Sequence, residues 1–177
     1  MNIIKWAALL LAVGVATVLA LAATKPDTFR VERQIIIVRA PEHIFPLINN
    51  FHQWEGWSPW EKIDPQLQRT YQGAEAGMGA IYEWKGNGEV GQGRMEIVES
   101  QAPGKVLIRL DFVAPFEAHN TVEFTLVPQG TSTSVTQAMY GPTPLLSKVM
   151  GLFFSMDKMV GDKYEEGLAS LKAVAEL

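Results

Sequence analysis

The stretch APEHIFPLINNFHQWEGWSPWEK, Ala40 to Lys62, carries the change of period that decides the fold. Pro41 suits the first turn of a helix, and Ile44, Leu47, Ile48 and Phe51 then fall three and four apart, so a short helix is expected there, interrupted by Pro46 or starting beside it. Trp54, Trp57 and Trp60 follow Phe51 at intervals of three and are three of the chain's five tryptophans. That interval stacks side chains on one side of a short helix or 3₁₀ turn, which Pro59 limits to a turn or two. Rings gathered on one side bury. They either pack as ordinary core or form a half-buried lid over something apolar. An exposed sugar-binding platform, which Gly56 and Pro59 could hold open, is the less favoured third reading.

Working outward, Phe29 to Arg39 precedes this stretch with Phe29, Val31, Ile35 and Ile37 on one face and Arg30, Glu32 and Gln34 on the other, the period of two that marks a strand. Past Asp64-Pro65, strands are expected around 69–72, 80–85, 92–100, 106–112, 118–127 and 133–139. Most are separated by short Gly- or Pro-containing links, as in a meander of hairpins. After Gly141-Pro142-Thr143-Pro144 the period returns to helical, from Leu146 through Val149, Met150, Phe153, Val160, Tyr164, Leu168 and Leu171 to Val174. One long C-terminal helix is expected, bent at Gly151 or Gly161. A strand, short helices, a run of antiparallel strands and a long helix lying across them make an α+β domain.

The N-terminus supplies an appendage. Trp6 to Ala23 is an uncharged apolar run of 18 residues, at the lower limit for crossing a bilayer, and it exceeds the apolar region usual for a cleaved signal. It reads as an uncleaved single-pass anchor, with Trp6 at an interface. The rival reading is a signal peptide, for which Ala20-Leu21-Ala22 offers a small-x-small cleavage pattern. Lys5 argues for a cytoplasmic N-terminus while Lys25, Arg30, Arg33 and Arg39 pull the other way, and the domain is placed on the extracytoplasmic side. Residues 1–26 thus form anchor and linker, and 27–177 form the domain. A formal net charge of -4 gives no basic footprint for a nucleic-acid partner, and the absence of cysteine removes disulfides and thiolate chemistry.

The element order, with APEHIFPLINNFHQWEGWSPWEK after the first strand, GAIYEWKGN in the hairpins, FEAHNTVEFTL, and KVMGLFFSMDKMVGDKYEEGLASLK at the end, resembles the START-like superfamily. The nearest likeness is to the polyketide cyclase/dehydrase-like SRPBCC proteins, over roughly residues 28 to 175. The resemblance implies a helix-grip fold, a curved antiparallel sheet around a long C-terminal helix with an apolar cavity between them. In that fold the segment between the first helix and the second strand covers the cavity mouth. The superfamily includes lipid carriers, cyclases, quinone-binding proteins and cochaperones, so fold alone does not fix function.

Motifs for chemistry are sparse. Gly86 to Gly91 matches GxGxxG, but QGRMEIVES follows it with strand alternation where a dinucleotide fingerprint needs a helix, so it reads as a glycine-rich hairpin. His43, His52 and His119 lack metal-ligand spacing, and Ser58 lies outside any nucleophile elbow. No cofactor or metal is expected. Glu117, His119 and Glu123 share the polar face of their strand, which places His119 in solvent. Asn120 and Gln137 are polar exceptions on apolar faces, and they either bond to neighbouring strands or water, or orient a ligand's polar group. Candidate ligand contacts are therefore Trp54, Trp57 and Trp60 as lid, Tyr82 and Trp84 as wall because they alternate away from Glu83 and Lys85, Phe112, Asn120, Gln137, and Met150 and Phe153 on the helix stripe. The expected partner is a hydrophobic small molecule, lipid or isoprenoid-like, held at a membrane. A cyclase or dehydratase is the alternative, weakened by the lack of an inward-facing acid-base pair. A ligand-free interaction module is the third reading.

Overall fold

The structure is a computed structural model that describes residues 2–177. Helix α1 (Asn2–Ala23) leads by a short link into strand β1 (Thr28–Ile37), followed by α2 (Pro41–Asn49) and two 3₁₀ segments, Phe51–Gly56 and Pro59–Lys62. Strands β2 (Gln68–Gly73), β3 (Ala80–Lys85), β4 (Gln92–Gln101), β5 (Lys105–Ala114), β6 (Ala118–Gln129) and β7 (Ser132–Pro142) come next, then α3 (Leu145–Met150) and α4 (Met156–Ala175). The strands form one antiparallel sheet in the order β1-β7-β6-β5-β4-β3-β2. Every link from β2 to β7 joins neighbours, as short hairpin connections require. Two register shifts in β4, at Gln92/Gly93 and Ile97/Glu99, add the local bends that let the sheet curl.

The core lies between the sheet and a cover made of α2, the first 3₁₀ segment and α4. Ile97, Ile108, Val122, Phe124 and Val135 face inward from the sheet, and meet Ile44, Ile48, Phe51, Trp54 and Trp57 from the cover and Tyr164, Leu168 and Leu171 from α4. Pro46 sits inside α2 without ending it; the helix stops three residues later at Asn49.

The expected single C-terminal helix is two. A turn from Gly151 separates α3 from α4, and Ser155 caps the second helix by accepting from the Lys158 N–H at 3.2 Å. The restart moves the buried stripe. Val160, Tyr164, Leu168 and Leu171 face the core, whereas Met150 and Phe153, expected against the sheet, point to solvent, with Phe153 68% exposed. Arg33 of β1 fastens α4 through Asp157 (2.9 Å) and Glu165 (2.6 Å). Asp157, Gly161 and Glu165 are four residues apart, so they share one helix face, and Gly161 leaves the space the guanidinium occupies. Arg39 donates to the carbonyls of Ala175 and Glu176 and satisfies the far end of the same helix.

Candidate functional site

Sheet and α4 do not close fully on each other. Between them lies a cavity of about 230 Å³, whose floor is Met95, Leu110, Phe112, Val122 and Met139 from the strands and whose roof is Val160, Tyr164 and Gly167 from α4. One end is walled by the aromatic stretch. At three residues per turn, a 3₁₀ segment superposes side chains three apart, and Phe51, Trp54 and Trp57 adjoin accordingly, the first pair edge-on with ring centroids 5.2 Å apart and the second tilted at 4.9 Å. Both Trp54 and Trp57 also meet Phe124 edge-on. Their ring N–H groups donate to the carbonyls of Ile48 and Leu47, each at 3.0 Å, which leaves no polar atom of either indole unpaired. Trp60 lies further out at the rim and is 36% exposed.

The wall continues through Tyr82, whose ring centroid lies 5.9 Å from that of Phe51, to Trp84 on β3, stacked on Tyr82 with centroids 6.1 Å apart and with Phe112 set edge-on to it. Gly93 on β4 makes this possible. A Cβ there would come within 2.4 Å of the Trp84 ring and 2.6 Å of the Asp111 carbonyl oxygen, so only glycine admits the indole. The 86–91 segment is the hairpin the sequence implies, with Gly91 at φ +64° and the Trp84 indole N–H donating to the Val90 carbonyl at 3.0 Å. Glu89 and Val90 from this hairpin edge the mouth.

Polar groups on the cavity are few. Glu61, from the second 3₁₀ segment, is buried and accepts from the Tyr82 hydroxyl at 2.6 Å and from Arg69 Nε at 2.6 Å. Burial, then the hydrogen bond to Glu61, pushes the Tyr82 phenol well above its ordinary range, so it stays protonated and donates. Deeper in, Gln137 of β7 is only 5% exposed, and its Oε1 has no hydrogen-bond partner among the described residues. Burial likewise raises the neighbouring Tyr164 phenol, against an opposing hydrogen bond from the Gln137 side chain.

Of the candidates read from the sequence, Trp54, Trp57, Trp60, Tyr82, Trp84, Phe112 and Gln137 come together around this cavity. Asn120, Met150 and Phe153 do not. Asn120 pairs in register with Leu110 of β5, and its Oδ1 lies over Gly141 of β7, 2.4 Å from where a Cβ would stand, so the amide fills a gap in the sheet. The α4 restart carries Met150 and Phe153 away, as described above. His119 stands in solvent, paired to Asp111 at 2.8 Å. The sequence reading missed Glu61 with Arg69, and Tyr164. Tyr164 was legible as a polar-tipped member of the helix stripe. The Glu61–Arg69 pairing carries no local signal, because it joins a 3₁₀ turn to a strand eight residues on.

A curled antiparallel sheet gripping a C-terminal helix, with an apolar cavity between them, defines the helix-grip class of fold. Residues 28–176 match the family described as polyketide cyclase / dehydrase and lipid transport, and the chain belongs to that family. Comparison with curated proteins gives no match. Solved structures of the same fold include ginseng major latex-like protein 151 from Panax ginseng, at 12% identity and TM-score 0.61, covering 85% of this chain and 99% of the other. A Chromobacterium violaceum protein aligns at 14% identity and TM-score 0.59 over 86% and 99% of the two chains. The Aha1 dimer from Colwellia psychrerythraea aligns at 15% identity and TM-score 0.57 over 84% and 97%. Family and fold support a ligand-binding or cyclase-type domain.

Proposed function

We propose that this protein holds one small apolar molecule in the cavity between sheet and α4, in a domain tethered to a membrane by α1. The observation that carries the reading is the cavity itself: an apolar, largely aromatic wall with a few fixed polar groups is the composition of small-molecule sites. Its volume of about 230 Å³ falls below the roughly 300–1,000 Å³ of drug-sized sites, which supports a single ring system or short chain over a two-chain phospholipid. Leaving the Gln137 oxygen unpaired costs about 1–3 kcal/mol, which a ligand hydroxyl or N–H would recover. The tether rests on α1, a 21-residue apolar span with a mean hydropathy of 2.3 and only 6% of it buried against the domain.

Native mass spectrometry of the full chain, released from detergent and followed by solvent extraction, tests both parts. A co-purifying apolar molecule bearing one hydrogen-bond donor is expected, with the chain retained by membranes through a carbonate wash. A chain that is empty, or whose mature N-terminus begins near Ala23, overturns the corresponding part.

Glu61 and Tyr82 favour a second reading, a cyclase or dehydratase, since they set a carboxylate and a phenol side by side on the cavity wall where the sequence suggested no acid-base pair. Both Glu61 oxygens are already engaged by Tyr82 and Arg69, however, which fits a fixed wall better than a proton shuttle. Turnover of a β-hydroxy or polyketide-like probe, abolished in Glu61→Gln, would favour the enzyme.

A further inference from the structure

Large apolar side chains on this domain are concentrated in one exposed place. Leu145, Leu146 and Met150 on α3, Phe153 and Phe154 in the turn, and Met156 and Met159 in the first turn of α4 all stand in solvent, with Phe153, Phe154 and Met159 at 60% exposed or more. Fifteen residues thus carry seven uncovered apolar side chains, beyond the scatter normal for a soluble surface. Their position is specific. The end of α1 packs on α3, with Ala22 fully buried, and Lys148 of α3 pairs with Asp27 at 2.5 Å just past the end of α1. The Asp27 carbonyl also accepts from the Thr143 N–H at 2.7 Å, so the start of the domain is tied to the entry of α3.

We infer that the segment from α3 to the first turn of α4 is a membrane-docking surface that seats its apolar side chains in the lipid interface beside the point where α1 enters the bilayer. A bilayer is the occupant because the patch is continuous with an apolar helix that is itself almost wholly uncovered. The attraction is hydrophobic. Lys148 is already paired to Asp27, and Lys158 to Asp162, so cations supply little of it. Docking has a consequence for the cavity. Of the roof residues, Val160 follows Met156 by four residues and Met159 by one, and Tyr164 follows Met159 by five, so the near part of the cavity wall would stand about 6–8 Å along the helix from the lipid. An apolar ligand could then pass between bilayer and cavity with little exposure to water. This inference rests on the tether proposed above.

The chain has no cysteine, so single labels are unique. The full chain, carrying an environment-sensitive fluorophore at Phe153→Cys or Phe154→Cys, is reconstituted in phosphatidylcholine nanodiscs. It is compared with Val127→Cys and Val13→Cys. Val127 is exposed and pairs with Ser134, eight residues along β7 from Pro142, so it lies about 26 Å from the start of α3. Labels at 153 and 154 should be quenched several-fold more than that at 127 by a nitroxide near the lipid headgroup, and should resist aqueous iodide, while the label at 13, about 15 Å from either end of the span, should be quenched by a nitroxide deep on the acyl chain. Iodide quenching at 153 and 154 equal to that at 127, with lipid quenching at Val13 intact, overturns docking while the tether stands. Loss of lipid quenching at Val13 overturns both. Shielding at 153 and 154 from both quenchers means another protein copy covers the patch, and overturns docking as well.

Discussion

The carboxylate of Glu61 is the most heavily committed group on the cavity. It receives the Tyr82 hydroxyl on one oxygen and Arg69 on the other while its side chain is only 5% exposed. Tyr82→Phe removes the hydroxyl but leaves the ring, so the buried carboxylate loses a donor with the cavity shape kept. Urea unfolding should show a loss of about 1–3 kcal/mol. An unchanged midpoint would mean that water replaces the phenol. His119 behaves differently because it is in solvent. Its bond to Asp111, then the nearby carboxylates, raises its pKa above the ordinary imidazole value. A raised folded-state value means that the pair stabilises the protein below the unfolded value near pH 6.5, and that this is lost as pH rises through the folded value. In His119→Gln the pH dependence of stability across that window should flatten; an identical slope in both proteins would remove the pair from the ledger.

At the scale of the element, α4 and the turn before it divide cleanly by register. Leu168 is buried in the core, so Leu168→Ala should cost about 2–5 kcal/mol. Phe153 is larger but stands in solvent, so in detergent Phe153→Ala should stay within about 0.5 kcal/mol of wild type. Comparable losses from the two variants would mean that the turn packs on the domain. Strand β4 holds the second sensitive position. In Gly93→Ala the new Cβ meets a ring on one side and a backbone carbonyl on the other, and the backbone cannot yield, so overpacking should cost about 1–3 kcal/mol and displace Trp84 from the wall. Near-ultraviolet circular dichroism would register the displaced indole.

For the molecule as a whole, the tryptophans separate into classes that one solution experiment can read. Trp54 and Trp57 are buried, Trp84 is half-buried at the wall, and Trp60 is at the rim. With Trp6→Phe removing the anchor's indole, iodide should quench only the fraction owed to Trp60, and an apolar ligand should shift the remaining emission to the blue. Quenching of most of the emission would mean that the aromatic wall opens to water.

Much of this was legible in the chain because it depends on local periods. Alternation in β1 and β3, the interval of three in the aromatic stretch and the intervals of four, four and three from Val160 to Leu171 follow from the geometry of strand, 3₁₀ turn and helix, so fold class and the burial of the aromatic stretch could be read directly, though not whether its rings are core or cavity wall. What tertiary structure decided was where periods are interrupted and which distant groups meet. Ser155 restarts the C-terminal helix in a new register and turns Met150 and Phe153 outward. Asn120 settles over Gly141 because a neighbouring strand happens to lack a side chain there. Glu61 finds Arg69 and Tyr82 only after the sheet curls, and Gln137 is left with an unpaired oxygen by the same closure. Periodicity records how one segment faces its surroundings, but it holds no information about what another segment places opposite it.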